Sequence, residues 1–516
     1  MWRALAVFLT LLLVAWAEFQ FYPGHTYLGS TSQLYVPILE HLATPGYLSR
    51  DLIATHPNVT YTVYDEITLF LHEAGRLDFA AALAGQQFVC RLAGVFGMFL
   101  LARAARLNDW FSVAVTALFN AGTFLPGLNV ALIDPEPVPR AFAFGLSLLA
   151  MGFLARNKPL LSGLFGGLAV LYDPITATPF WIFVLAAFAF DRLLRRLLRP
   201  VLPILLVFLL LLANLAQLQP GEPDSQPFLS RFSQPIAAIQ KFRAPGLWIS
   251  LWPSKLVYGY LAVFVIGVWA LARIWPGLNR QTRWMLALLP CLGVFSMPCS
   301  RVLLDASRWS ATLRVQPMQT LVYTVSFTFL ACATAAVQAF RAKARREMIC
   351  WSGLCLLFLT LGTSGLPKKK DPYAISAITD WAATNTWGSS MFLFPDAGRE
   401  LYPGVFRGQS SRALWVDWES GAQISYYAQL AEEWWTRWSG TMQAPLSGDQ
   451  VQRMLSLPID YFVFKRSHVL ETELEGRHRR VKPVFADREF AVYEASSLRL
   501  VPGELRVLDL PSGVRH

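Results

Sequence analysis

PMQTLVYTVSFTFLACATAAVQAF (317–340), followed at once by RAKARRE (341–347), decides the class of this protein. The first stretch runs 24 residues without a charge, and a bilayer crossing takes about 20 such residues. The second carries Arg341, Lys343, Arg345 and Arg346, the mark of a cytoplasmic loop, where Lys and Arg collect. Working outward, apolar stretches of spanning length recur at 2–18, 81–102, 110–131, 138–155, 200–218, 253–274, 282–299 and 348–365. Two shorter ones, 159–172 and 175–190, flank Tyr172-Asp173-Pro174, as two spans or as one re-entrant pair. The expectation is a polytopic α-helical membrane protein of about eleven transmembrane helices, or nine if that pair is re-entrant.

Composition agrees. The chain is 54% hydrophobic and only 15% charged, where soluble domains carry about 25% charged residues, and its mean hydropathy is +0.39. A net charge of +11 would suggest nucleic acid if it covered one surface. Instead, the loops around 3, 103–109, 156–158, 191–199, 273–283 and 341–347 hold sixteen bases against Asp109, Asp191 and Glu347, a net of +13. The rest of the chain therefore sums to −2, and orientation accounts for the whole excess. No nucleic-acid partner is implied; the partner is membrane lipid. The N-terminus is expected in the cytoplasm and the C-terminus outside. MWRALAVFLTLLLVAWAEF also has the form of a signal peptide, but the following loop starts outside either way. The six cysteines all sit in or beside apolar runs, as small packing residues.

Two regions lie outside in this topology. Residues 1–366 form the transmembrane domain, whose first outer loop (19–79) contains an amphipathic stretch from Tyr64 to Gly75. There Ile67, Phe70 and Leu71 share one face and Asp65, Thr68 and His72 the other, as in a helix lying on the membrane surface. Residues 367–516 form a small α/β extracytoplasmic domain, with Lys368-Lys369-Lys370 a local exception to the charge rule. Its pattern predicts helices at 373–386, 422–438 and 448–456, strands at 391–394, 413–416 and 461–464, and a terminal hairpin of 483–485 with 489–493. Neither GxGxxG nor GxxxxGK[ST] is present.

Polar residues at the outer ends of spans carry the candidate chemistry. They are Asp65-Glu66, the run Asp134-Pro135-Glu136 with Arg140, Asp173, and the group Asp305, Arg308, Arg314 and Gln316. Carboxylates serve as general bases or hold a divalent cation, and arginine grips phosphate bidentately. Asp134 and Asp173 serve equally well as helix caps, and Arg140 and Arg308 as interface anchors. His25, His41, His56 and His72 have no metal-ligand spacing, and Asn58-Val59-Thr60 is a lone sequon. Trp415, Trp418, Trp434, Trp435 and Trp438 suit either a carbohydrate platform or packing.

The arrangement resembles the GT-C superfamily of membrane glycosyltransferases, and more closely an uncharacterised bacterial branch of GT-C-like proteins. The carrying segments include PGHTYLGSTSQLYVPILEHL (23–42), SRDLIATHPNVTYTVYDE (49–66), IDPEPVPRAFAFGL (133–146), LRVQPMQTL (313–321), ITDWAATNT (378–386), FRGQSSRALWVDWESG (406–421) and AEEWWTRW (431–438). The resemblance implies a bacterial inner-membrane protein that moves a sugar from a polyprenyl-phosphate donor to an extracytoplasmic acceptor. It gives Asp65, Glu66 and Asp134 the catalytic acidic role, with Mg or Mn at Asp65 and Glu66 if the reaction is metal-dependent. Arg140, Arg308 and Arg314 are its phosphate-binding candidates. Related sequences are expected to carry Asp near 31 and Arg near 319, where this chain has Thr31 and Gln319. Those departures keep open a non-catalytic envelope-assembly protein on the same frame, and a lipid-linked substrate transporter is the other alternative.

Overall fold

The computed structural model of the chain describes residues 2–56, 62–217, 230–363, 375–425, 430–443, 446–474 and 477–509. From the N-terminus, α1 (Trp2–Gln20) leads into two helices of the first loop, α2 (Ser32–Ala43) and α3 (Val63–Glu73). Then come α4 (Phe79–Ala104), α5 (Asp109–Asn120), a hairpin of β1 (Phe124–Leu125) and β2 (Val130–Ala131), and α6 (Pro139–Ala155), α7 (Pro159–Tyr172) and α8 (Pro174–Phe190). They are followed by α9 (Arg192–Leu198), α10 (Val201–Gln217), α11 (Gln234–Arg243), α12 (Ser254–Ile274), α13 (Arg280–Ser300), α14 (Ser310–Val315), α15 (Leu321–Arg341) and α16 (Arg345–Thr363).

Among the described residues α1, α4, α12, α13 and α15 are long and apolar enough to cross a membrane. The pair α9–α10, bent by 53°, makes a sixth if taken as one span. The chain is thus a helical membrane protein by length and composition. The larger count expected from sequence included α6, α7 and α8, which are apolar but only 14 to 17 residues long. The expected span at 110–131 is not one helix. Its helix stops at Asn120, and Gly122 (φ +74°) and Gly127 (φ +89°) turn the chain into the β1–β2 hairpin.

One end of the bundle gathers the basic loops, and the three acids in those loops pair with their bases. Asp109 takes Arg3 at 2.7 Å and Arg103 at 3.1 Å, Arg273 reaches Glu347 at 3.1 Å, and Arg280 bonds Asp191. Residues far apart in sequence therefore share one face, as the charge pattern required. Inside the bundle α4 and α6 approach closely, because glycines meet there. A Cβ on Gly145 would stand 2.1 Å from the Cys90 carbonyl oxygen, and one on Gly97 2.3 Å from the Leu148 carbonyl carbon. Small residues allow such contact where lipid provides no hydrophobic drive between helices.

The first-loop helix is real, but its faces are reversed from those of a soluble amphipathic helix. Asp65 and Thr68 are buried, while Phe70 is 67% exposed. Tyr64 fixes this orientation by donating to the Pro137 carbonyl at 2.8 Å, and Gln86 donates to the Thr68 hydroxyl at 2.9 Å. The polar side faces protein partners, while Phe70 points outward and Ile67 packs against the bundle core.

After residue 375 come α17 (Ser376–Asn385), β3 (Met391–Leu393), α18 (Tyr402–Ser410), β4 (Ala413–Leu414), α19 (Leu430–Trp438), α20 (Gly448–Met454) and β5 (Tyr461–Lys465). Then follow β6 (His468–Leu474), β7 (Arg477–Arg480), β8 (Phe485–Ala486), β9 (Phe490–Glu494), α21 (Ala495–Arg499) and β10 (Glu504–Asp509). The main sheet has the order β4-β3-β5-β9-β8, with β3 parallel to β4 and β5 and the β8–β9 hairpin antiparallel. A second sheet, β10-β6-β7, has no counterpart in the sequence-based expectation. Phe392, Phe394, Phe406 and Phe462 fill the core beneath the main sheet, together with Phe232, Ile236, Trp248, Leu304 and Leu313 from earlier in the chain. That core is therefore shared between the two parts of the sequence. The expected boundary at 366/367, the Lys368–Lys370 run and the 58–60 sequon lie outside the described residues.

Candidate functional site

Two adjoining cavities lie in the bundle, the first among α1, α4, α6, α8 and the start of α15, the second between the first loop, α6, α8 and residues 419–425. The first, about 760 Å³ with open solvent included, is mostly apolar; Ile133, Phe144, Leu148, Ile175 and Pro179 are among its walls. The second, about 1000 Å³ on the same measure, is polar. Its four charged side chains are Arg140, Asp173, Arg243 and Glu419, beside Thr31, Gln316 and Gln319. Arg140, Ile175 and Gln319 line both.

Local sequence sets each of these groups. Pro139 starts α6 at a position where a missing N–H costs nothing, which puts Arg140 on its first turn. Asp134 holds that guanidinium: its Oδ2 accepts from Nε at 2.8 Å and lies 2.6 Å from Nη2. The other Asp134 oxygen accepts from the Glu136 amide at 3.1 Å. Asp173 caps α8, accepting from the Ile175 amide at 3.2 Å and the Thr176 hydroxyl at 2.5 Å. The cap reading of Asp173 is thus right, and the same carboxylate also faces the polar cavity. Glu419 lies 3.3 Å from Arg243, whose Nε donates to the Trp418 carbonyl at 2.8 Å. Burial holds the Glu419 carboxyl above the usual range, against the pull of Arg243.

Thr31 reaches the cavity through its neighbours. Both carboxylate oxygens of Glu136 are taken by the loop: Ser30 donates from its amide (3.0 Å) and hydroxyl (2.8 Å), and Ser32 likewise (2.7 and 2.6 Å). The 30–32 turn that opens α2 is thereby pinned to the chain segment before α6. Thr31 and Gln319, the two positions where the resemblance leads one to expect Asp and Arg, both line the polar cavity.

Of the six residues expected at the site, the structure brings Asp134 and Arg140 together and places neither Asp65 nor Glu66, nor Arg308 or Arg314, on the wall of either cavity. Asp65 and Glu66 sit in the first turn of α3, and burial plus their mutual repulsion pushes the Asp65 carboxyl well above the carboxylate range. Among the described residues no three His, Cys, Asp or Glu side chains group to hold a metal ion. Mg or Mn takes one or two carboxylates together with a substrate phosphate, and Asp65 and Glu66 line neither cavity, so no step is assigned to a cation there. Arg308 and Arg314 lie in the segment whose Leu304 and Leu313 pack into the second core. Neither lines Arg140's cavity, although Gln316, two residues past Arg314, does. The tryptophans form a packed ladder and no open platform: Trp434 and Trp438 are buried, their rings stacked at 5.7 Å, with Phe242 against Trp418 and Trp435.

Sequence reasoning passed over Glu18, Arg91, Arg243 and Glu419. Glu18 and Arg91 were detectable as ionisable residues inside apolar stretches, which seldom occur without a use. Arg243 and Glu419 lie in ordinary polar surroundings, and only the fold brings them to the cavity.

The sequence matches no family model. It matches no curated protein either. Among solved structures it is similar to the archaeal oligosaccharyltransferase AglB from Archaeoglobus fulgidus in complex with an inhibitory peptide and a dolichol-phosphate. That match has a TM-score of 0.42 at 12% identity, covering 92% of this chain and 74% of that one. ArnT from Cupriavidus metallidurans matches in the apo state (TM-score 0.41, 13% identity, 97% and 99% covered) and bound to undecaprenyl phosphate (0.39, 13%, 96% and 98%). These are of the class that the sequence resembles. At such TM-scores they assign no role to any residue here, and the chemistry rests on the chain's own cavities.

Proposed function

We propose that this protein transfers a sugar from a polyprenyl-phosphate donor to an acceptor outside the cytoplasm. The observation that carries this reading is Arg140, which lines both a polar cavity with two carboxylates and an apolar cavity beside it. An amphiphilic phosphate has the matching shape: its phosphate on Arg140, its hydrocarbon in the apolar cavity, and its sugar in the polar one. Asp134 orients Arg140 and so acts as a positioning residue. In the transfer the acceptor oxygen bonds the sugar's anomeric carbon, the bond from that carbon to the phosphate oxygen breaks, and polyprenyl phosphate departs. Asp173 or Glu419 takes the acceptor's proton, and Arg140 and Arg243 meet the charge that develops on the leaving phosphate. The topology belongs to the same proposal, with a cytoplasmic N-terminus and an extracytoplasmic α/β region.

The neutral Thr31 and Gln319 on the cavity wall favour a second reading, in which the same cavity binds lipid-linked phosphate without turnover. One experiment separates the two. The full chain in nanodiscs is titrated with undecaprenyl phosphate and then supplied with radiolabelled polyprenyl-phosphate sugars, following released polyprenyl phosphate. Binding that Arg140→Ala abolishes, with Asp173- or Glu419-dependent release, supports transfer. Binding without release supports the second reading, and no binding defeats both.

A further inference from the structure

Glu18, near the outer end of α1, and Arg91, in the middle of α4, face the apolar cavity together. They are 5% and 7% exposed. Neither carboxylate oxygen of Glu18 has a hydrogen-bond partner, nor do Nε and Nη1 of Arg91. The remaining Arg91 nitrogen, Nη2, is committed to the Gly24 and Asp134 carbonyls at 2.7 Å each, which fixes the guanidinium in place. Through Asp134 this pair stands one residue from Arg140.

A buried carboxylate and a buried guanidinium with free acceptors and free donors are costly unless something fills them. Direct contact would settle the cost, yet no hydrogen bond joins the two side chains. What fits between them is a group that donates to one and accepts from the other. The cavity's charged walls are Glu18, Arg91, Asp134 and Arg140, two of each sign, so they select no net charge. A hydroxyl pair meets that requirement at less desolvation cost than a zwitterion does. We infer that Glu18 and Arg91 form a subsite for the hydroxyl-bearing head of an amphiphile whose hydrocarbon lies along the apolar walls. This goes beyond the transfer reading and does not rest on it: the amphiphile takes the apolar cavity in place of a donor's hydrocarbon, so the two compete for it.

The test uses the full chain in nanodiscs and hexyl β-glucoside as probe, followed by thermal shift and by equilibrium dialysis of labelled ligand. Hexyl methyl ether supplies the chain without the hydroxyls, and hexylphosphocholine supplies a zwitterionic head. The expected result is saturable binding of the glucoside alone, weakened about tenfold or more in Glu18→Gln, since a hydrogen bond to a buried charged group contributes about that factor. Equal binding of the ether, or stronger binding of hexylphosphocholine, overturns the inference on the wild-type chain alone, whether or not the variant folds. Unchanged glucoside affinity in a folded Glu18→Gln also overturns it. Undecaprenyl phosphate titrated in parallel tests the transfer reading separately, so either idea can fail without the other.

Discussion

Replacing Arg407 with Met should open the joint between the first loop and the C-terminal region. The side chain is 1% exposed. Its Nη1 lies 3.0 Å from Asp417 and 3.6 Å from Asp51, and its Nη2 reaches Asp417 at 3.4 Å and the Gln33 carbonyl at 3.2 Å. Methionine keeps most of the volume, so the cost is electrostatic: two buried carboxylates lose their shared cation. They are not left bare. Asp51 still accepts from the amides of Ile53 (2.9 Å), Ala54 (3.3 Å) and Leu414 (2.9 Å), and Asp417 from that of Ser420 (3.1 Å). The loss is therefore that of breaking a buried pair, about 3–5 kcal/mol, and far below a bare-ion desolvation cost. Denaturant unfolding followed by tryptophan fluorescence suits the measurement, because Trp418, Trp434 and Trp438 belong to the neighbouring core. Adding Asp417→Asn should recover part of the loss. A deficit under about 1 kcal/mol, or no recovery in the double variant, would refute the reasoning.

Other expectations can be checked with the same preparation. Asp65→Asn should stabilise the protein more at pH 8 than at pH 5. Burial raises the folded-state value of Asp65, so the wild-type chain takes up a proton on folding and loses about 1.4 kcal/mol per pH unit above the ordinary carboxylate range; a pH-independent difference between the two proteins would contradict this. Gly145→Ala places a methyl 2.1 Å from the Cys90 carbonyl oxygen and should cost about 1–3 kcal/mol as α4 and α6 separate, read as a lower Tm. Trp434→Ala should cost about 3–5 kcal/mol, because the ring is fully buried in the aromatic ladder; a neutral substitution would restore the open-platform view of these tryptophans.

Much of the helical frame was legible in the chain, because membrane spans are written in uninterrupted local composition. The stretch 317–340 became α15, and the paired charges of Asp109, Asp191 and Glu347 lie among the bases that the loop pattern grouped with them. Local signals also placed β3, β5 and the β8–β9 hairpin, each a short β-rich run with turn residues around it. Local signals failed at 110–131, where apolar composition concealed a turn at Gly122 and Gly127.

The site was only half legible. Asp134 and Arg140 are six residues apart at the start of one helix, so their pairing follows from local geometry. The burial of Asp65, the inward turn of its helix face, and the meeting of Arg243 and Glu419 with Arg140 depend on contacts between segments tens to hundreds of residues apart. Sequence by itself determined which residues are confined to a membrane frame and which loops share a side, since both follow from the cost of placing charge in hydrocarbon. Only the tertiary structure decided which polar groups converge, because a cavity belongs to the packing of several helices and is encoded in none of them alone.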